Sequence, residues 1–136
     1  MALTDQLDLR ALYEGGTVAA MIAVPAGLLG RILSDRDEDF GWLWILVVAV
    51  LIGLVLGSGV AAWRQEKGLP LTHGVITGVG TFVVVQAIGV VVELIAGDSI
   101  NWPRIASSLL LSLMAGTVGG VLGSLLLNNG APPSRR

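Results

Sequence analysis

The sequence predicts an all-α fold, a polytopic membrane protein built as a four-transmembrane-helix bundle. Hydrophobic residues make up 54% of the 136-residue chain and charged residues only 13%, against about 25% charged residues in soluble domains. The chain therefore has too few ionic groups to cover a surface in water. Four long stretches are almost free of charge, and none shows the two-residue alternation of a membrane β-strand. Because backbone groups in lipid must be hydrogen-bonded internally, we expect each stretch to be a helix.

The four spans differ in how easily they reach the thickness of a bilayer. A hydrocarbon core of about 30 Å needs about 20 apolar helical residues. The uncharged part of the first span, 15–30, is shorter than this, so Glu14 and Arg31 must extend toward the headgroups. Between residues 68 and 92 the only ionisable residue is His73. The predicted transmembrane domain, 11–127, contains spans at 11–33, 41–63, 71–95 and 105–127.

The orientation of the chain follows from its short connections and its basic residues. Short connections make sequential helices antiparallel, so both ends of the chain and the central connection share one side. That side carries five Lys and Arg residues against three on the other, which favours a multi-pass protein of the cell membrane with both termini cytoplasmic. Residues 1–10 are then a cytoplasmic segment, and without a basic n-region they predict no cleaved signal peptide. Residues 128–136 are predicted to form a disordered C-terminal tail.

Small residues recur every four positions in all four spans, which places them on one face of each helix. Lipid is about as apolar as leucine, so membrane helices associate through the close packing that small residues permit. The alternative is that glycine is simply common in membrane helices. We expect the glycines to form contacts, and the sequence leaves open whether these lie within one chain or between chains. The candidates are Gly15, Gly27, Gly53, Gly57, Gly74, Gly78, Gly116, Gly119, Gly120 and Gly123.

The two halves of the chain resemble each other faintly. In each half, two glycines 15 residues apart are followed 12 or 13 residues later by a tryptophan: Gly15, Gly30 and Trp42, then Gly74, Gly89 and Trp102. This spacing is consistent with a parallel repeat of two helical hairpins, whose axis would run along the membrane normal. It is equally consistent with chance among many glycines.

Polar residues inside the third span are candidates for a functional site. Gln86 lies well within the span, and Glu93 follows two helical turns later on the same face. Such a polar stripe should face protein rather than lipid. One hypothesis is a path for a solute or a proton. The other is an interhelical hydrogen bond from Gln86, with Glu93 at the interface and paired with Arg104 or Arg31.

Glu14 is the third candidate polar residue, near the start of the first span. A carboxylate at this depth could bind a cation or a proton. It could equally have a structural role by pairing with Arg10 one turn earlier, or with Arg64 or Lys67 across the interface. The sequence favours the structural role.

Several classes of function are excluded or disfavoured. The chain has no cysteine and one histidine, which excludes thiol catalysis, disulfides and a multi-histidine metal site within one chain. The serines of the fourth span lie far from His73, and no phosphate-binding loop is present. We therefore expect no catalytic, metal or cofactor site and no enzymatic activity. A net charge of −2 without a basic stripe predicts no nucleic-acid partner.

Residues 10–127, with "AWRQEKGLPLTHG" before the third span, resemble the uncharacterised four-span membrane proteins found in bacteria, especially actinobacteria. This resemblance implies a membrane location and no particular activity. The first functional hypothesis is a structural or accessory component of the lipid bilayer that self-associates or joins other membrane subunits. The alternative is a small transporter or channel for a cation, a proton or a small solute, with Gln86, Glu93 and Glu14 in polar roles.

Overall fold

The computed structural model describes residues 3–36, 41 and 43–130, and within these residues the chain forms helices and turns and no strand. A short 3₁₀ helix, Leu3–Gln6, precedes four long helices: α1 Leu9–Arg36, α2 Leu43–Arg64, α3 Pro70–Ala96 and α4 Trp102–Asn128. The predicted all-α fold with four spans is confirmed. Most of the connection between α1 and α2, and residues 131–136 of the predicted disordered tail, lie outside the described residues.

Each long helix contains a segment that is long and apolar enough to cross a membrane. Mean hydropathy of these segments ranges from 1.7 in Leu9–Leu33 to 2.7 in Leu43–Arg64. Their large apolar side chains point outward: Leu110 is 59% exposed, and Met114 and Val84 are similarly exposed. In water such a surface would be unfavourable, whereas in a bilayer it contacts lipid chains. The chain is thus built as a multi-pass membrane protein.

Local sequence signals explain where the helices begin and end. Pro70 and Pro103 occupy the first turns of α3 and α4, where the missing amide hydrogen costs nothing. The side chain of Asn101 accepts a hydrogen bond from the backbone of Arg104 at 3.1 Å, which caps α4. Gly97 ends α3 in the left-handed conformation, at φ 77°, which favours glycine.

Sequential helices are antiparallel, and α2 packs against each of the other three, most extensively against α1 and α4. Helix α3 packs against α1, α2 and α4, whereas the described residues of α1 and α4 make no contact with each other. If a two-fold axis related the hairpin α1–α2 to the hairpin α3–α4, the contact between α2 and α3 would require an equivalent contact between α4 and α1. The hairpins are therefore not arranged about such an axis, and the sequence repeat stays a prediction.

The core of the bundle consists of small residues. The largest fully buried side chains are His73, Ser58 and Ser112, and most other core residues are alanines and glycines. Nine of the ten candidate glycines lie where an added Cβ would come within 3.3 Å of another helix. The exception is Gly27, where an added Cβ would meet no atom within 4 Å. The close contacts that the chain makes are thus contacts between its own helices.

These close contacts lie in one half of the bundle, which we call the closed half. It consists of residues 9–23, 53–64, 70–81 and 112–128, that is, the beginnings of α1 and α3 and the ends of α2 and α4. Gly15 lies against Gly57 and Ala61 of α2, and Gly74 lies against Gly120 of α4. In the opposite half, the open half, larger side chains hold the helices apart.

Candidate functional site

A cavity of about 510 Å³ lies in the open half, between all four helices. Its walls are residues 23–31 of α1, 43–54 of α2 and 82–93 of α3, together with 101–112 at the start of α4. The cavity exists because α1 and α4 do not meet and because residues such as Leu46, Val50 and Val85 are too large for backbone contact. Ser112 and Leu54, at the border with the closed half, form its floor.

The cavity wall is mainly apolar and carries a small number of polar side chains, the usual composition of a site for a small molecule. The polar lining residues are Arg31, Gln86, Glu93, Asn101, Arg104, Ser108 and Ser112. Two of the three candidate polar residues from the sequence, Gln86 and Glu93, are therefore part of one cavity. The amide of Gln86 makes no hydrogen bond to any described residue, so it is available to a solute.

An ion pair joins α1 to α3 at the rim of the cavity. Arg31 lies 3.3 Å from Glu93 and 3.9 Å from Asp98, and it donates to the carbonyl oxygen of Gly89 at 3.2 Å. Arg31 and Glu93 have side chains 24% and 19% exposed, so the pair is substantially shielded. Of the two partners proposed for Glu93, the structure therefore pairs it with Arg31. Arg104 also lines the cavity and makes no ion pair with the described residues.

Glu14 lies at the other end of the bundle and is not part of the cavity. Its carboxylate binds Arg10 at 3.1 Å one turn earlier in α1 and also contacts Arg64 at the end of α2. Both cations saturate the carboxylate from within the chain. Glu14 thus joins the beginning of α1 to the end of α2, while Gln86 and Glu93 face the cavity.

A second polar cluster at the closed end surrounds His73, which is fully buried. The backbone amide of Asp8 donates to Nε2 of His73 at 2.8 Å, and Nδ1 lies 2.8 Å from the carbonyl oxygen of Leu69. Because an amide only donates and a carbonyl only accepts, Nδ1 carries the hydrogen and the ring is neutral. The Asp8 side chain caps α1 at Ala11 and accepts from Glu66 in the α2–α3 connection.

Sequence reasoning did not find the cavity or most of its polar lining. Asn101, Ser108 and Ser112 had no part in the hypotheses of a polar site, in which Arg31 and Arg104 appeared only as candidate partners of Glu93. One signal was present: the rows of small residues in α2 and α4 are concentrated near the ends of these two helices, which lie at the same end of the bundle. Among the described residues, no three His, Asp or Glu side chains come together in a way that could hold a metal ion.

No protein-family model matches the chain, and no solved structure matches it either. Its sequence is similar to that of the Probable membrane transporter protein YtnM of Bacillus subtilis (strain 168), with 32% identity over 80 residues. These residues are 59% of this chain and 25% of that protein, so the chain matches only about a quarter of its relative's length. Together with the four apolar helices, the similarity shows an integral, multi-pass membrane protein with weak homology to a bacterial protein described as a transporter.

Proposed function

We propose that the chain transports a small polar solute across the membrane and that the solute enters through the cavity of the open half. The observation that carries this proposal is the cavity itself. It is a partly open space of about 510 Å³ between four membrane helices, lined by Gln86, whose amide has no hydrogen-bond partner among the described residues, and by Arg104. Polar groups at membrane depth are costly, and they commonly mark the path of a substrate. The description of the relative as a membrane transporter agrees with this function.

The charge of the lining favours an anionic solute over a cation. The cavity contains two arginines, Arg31 and Arg104, and one glutamate, Glu93. Glu93 already binds Arg31 at 3.3 Å, which leaves the guanidinium of Arg104 as the charge without a partner in the described part of the chain. A guanidinium binds carboxylate, phosphate and other oxyanions in a two-pronged geometry. A small oxyanion is therefore the solute that this wall fits best.

The structure corresponds to a transporter that is open on one side. The glycine contacts of the closed half bring the helices into backbone contact beneath Ser112 and leave no passage there for a solute. Passage of a solute then requires those contacts to separate while the cavity closes, the alternation that small transporters perform by movement of one helix group against another. With both termini in the cytoplasm of a bacterial cell, as proposed from the basic residues, the cavity opens to the outside.

A second candidate function is that of an accessory component that joins further membrane helices. One observation favours it: α1 and α4 make no contact in the described residues, so the side of the cavity between them is available to another helix. Crosslinking in native membranes, followed by mass spectrometry of the products, tests this candidate.

The transport proposal is tested by flux into proteoliposomes that contain the purified chain. The solutes are chloride, sulfate, phosphate and acetate, with potassium and protons as cationic comparisons. We expect anion uptake above that of protein-free liposomes. Arg104→Gln should reduce it about tenfold, because a hydrogen bond to a charged group contributes about 1.5–3 kcal/mol. Gln86→Leu should also reduce it, by a smaller factor.

The matched control is Thr117→Val, a change from polar to apolar at an exposed position of α4. Thr117 donates to the carbonyl oxygen of Leu113 in its own helix and does not line the cavity, so transport should be unchanged. If the parent protein moves none of these solutes, the transport proposal is wrong. If Arg104→Gln and Gln86→Leu both transport at the parent rate, the assignment of the cavity as the entry site is wrong.

A further inference from the structure

Two buried hydroxyl groups near the centre of the bundle lack the partner that other helical hydroxyls have. Thr17, Ser107, Ser112 and Thr117 each donate to a carbonyl oxygen three or four residues earlier in their own helix, at 2.8–2.9 Å. Ser58 in α2 and Thr77 in α3 do not, and their side-chain oxygens have no hydrogen-bond partner among the described residues. Both residues are deeply buried, at 0% and 4% exposure.

Leaving a buried hydroxyl unpaired is unfavourable, because the group loses its hydrogen bonds to water and gains none in return. Nearly all such groups in proteins are paired, and ordered water is the usual partner where the protein supplies none. Water inside a protein occupies sites where several polar groups lie close together. The position of Ser58 and Thr77 relative to other polar atoms therefore decides whether water is a reasonable partner.

Ser58 lies directly beneath the floor of the cavity. Its hydroxyl oxygen is 3.1 Å from the position that a Cβ of Gly78 would occupy, and the carbonyl oxygen of Ser112 is also 3.1 Å from that position. These two oxygens are thus at most about 6 Å apart, beside the point where Gly78 meets the Cα of Gly116, and the two hydrogen bonds of one bridging water, at about 2.8 Å each, nearly span that distance. Ser112 itself lines the cavity. Polar atoms therefore continue from the cavity floor into the contact between α2, α3 and α4.

Thr77 extends this polar region toward the closed end. His73, Thr77 and Thr81 are spaced four residues apart, which places them on one face of α3, and all three are buried. Thr81 precedes Phe82, which lines the cavity, and His73 reaches the cluster around Asp8. The buried face of α3 thus carries a polar side chain on every turn from His73 to Thr81, at a depth where the neighbouring helices present mainly alanine and glycine.

From these observations we infer that Ser58 and Thr77 bind water at the buried faces of α2 and α3, and that these hydrated faces continue the solute path from the cavity toward His73. We call this region the hydrated seam. The second part of the inference rests on the proposed transport function, whereas the hydration itself does not. Gly78 then has a role beyond packing, because a Cβ at this position would lie 3.1 Å from both the Ser58 hydroxyl oxygen and the Ser112 carbonyl oxygen and would compete with the water.

The absence of native cysteine permits a direct test by single-cysteine labelling of the full-length chain in liposomes. The variants are Ser58→Cys and Thr77→Cys, and the control is Ala62→Cys. Ala62 is fully buried, one turn after Ser58 in α2, and contacts α4 at Gly123. The probe is the water-soluble anion 2-sulfonatoethyl methanethiosulfonate, and the extent of modification is read by mass spectrometry over time.

We expect Ser58→Cys to be modified faster than Ala62→Cys by about tenfold or more. The thiolate is the reactive form of cysteine, and each unit by which apolar burial raises the pKa of a thiol removes about nine-tenths of the thiolate. Thr77→Cys should behave like Ser58→Cys and serves as the test if Ser58→Cys does not fold. Equal rates for the seam variants and Ala62→Cys would overturn the inference, whether all three react or none does.

Flux measurements on the same variants separate this inference from the proposed function. Full modification of Ser58→Cys should abolish solute uptake in proteoliposomes if the hydrated seam is part of the path. Uptake that continues unchanged after modification would overturn the assignment of the seam to the path. A parent protein that transports nothing would overturn the proposed function instead, and the labelling rates would still decide whether the seam is hydrated.

Discussion

Replacing Gly57 with alanine tests whether close contact between α1 and α2 stabilises the bundle. An ideal Cβ at Gly57 would lie 2.5 Å from the Cβ of Ala19 and 2.7 Å from the Ala19 backbone nitrogen, whereas carbon atoms in contact are about 3.5–4.0 Å apart. Neither of these atoms can rotate away, since one is a methyl carbon fixed to the backbone and the other is backbone itself. The two helices must therefore separate by about 1 Å.

The size of the effect follows from the loss of van der Waals contacts between α1 and α2. A gap of about 1 Å forfeits up to half of an attraction of about 0.1–0.2 kcal/mol per atom pair, so on the order of 20 pairs lose about 1–2 kcal/mol. Measured costs of overpacking are similar, about 1–3 kcal/mol. Alanine also has a higher helix propensity than glycine, by up to about 1 kcal/mol, and this gain opposes the loss.

A second variant, Gly80→Ala, separates the effect of the α1–α2 contact from the effect of helix propensity. Gly80 lies in α3, is exposed, and has no atom within 4 Å of an ideal Cβ. The gain in helix propensity is common to both variants and cancels when they are compared. We expect Gly57→Ala to be less stable than Gly80→Ala by about 1–3 kcal/mol.

Reversible unfolding in bicelles, followed by circular dichroism and by tryptophan fluorescence, measures both free energies. Equal stabilities of the Gly57 and Gly80 variants, or a more stable Gly57→Ala, would refute the packing argument. Such a result would show that lipid or another chain, rather than α1, lies against this face of α2.

Three further changes test the rim ion pair, the buried histidine and the end of α3. Arg31→Gln leaves the shielded carboxylate of Glu93 without its cation. The free energy of unfolding should fall by about 1–3 kcal/mol, a value between the contributions of exposed and of fully buried ion pairs. An unfolding midpoint equal to the parent's would contradict this. His73→Leu removes the acceptor of the Asp8 amide, so hydrogen exchange at that amide should become faster, consistent with a cost of about 1–3 kcal/mol, and unchanged exchange would be incompatible with the bond. Gly97→Ala places a Cβ at φ 77° in open space, so backbone strain alone should cost about 1–2 kcal/mol, measured by the same unfolding titration.

The sequence predicts the helices well because the signals that define them are local. Long uncharged stretches define the spans, and proline near a helix start is such a signal. The fourth span was predicted from residue 105, whereas α4 begins at Trp102. The difference arises because Pro103 fits inside the first turn and Asn101 caps it, which adds a turn that hydropathy alone does not reveal. Similarly, α1 continues to Arg36, beyond its apolar segment, because charged residues end the hydropathy signal of a span without ending the helix.

The polar contacts are harder to predict because their partners are distant in sequence. His73 binds the backbone of Asp8, 65 residues earlier, and a backbone amide leaves no mark in the sequence. Glu93 had two candidate partners of equal charge, and its pairing with Arg31 depends on α3 lying beside α1 at the open end. The unpaired hydroxyls of Ser58 and Thr77 are likewise visible only once the neighbouring helices are in place.

The position of the small residues along each span determines where the cavity lies. Gly15, Ala19 and Ala23 form a row that continues to Gly27, yet only the first three are buried against a neighbouring helix. At the next level, α2 presents Leu46 rather than glycine, and its side chain lies 3.7 Å from an ideal Cβ of Gly30. A small residue makes a backbone contact only where the facing helix is also small at the same depth. Because the rows in all four helices coincide in the closed half alone, the helices converge there and diverge toward the other side. The same pattern that seals one end of the bundle therefore creates the space that a solute can enter.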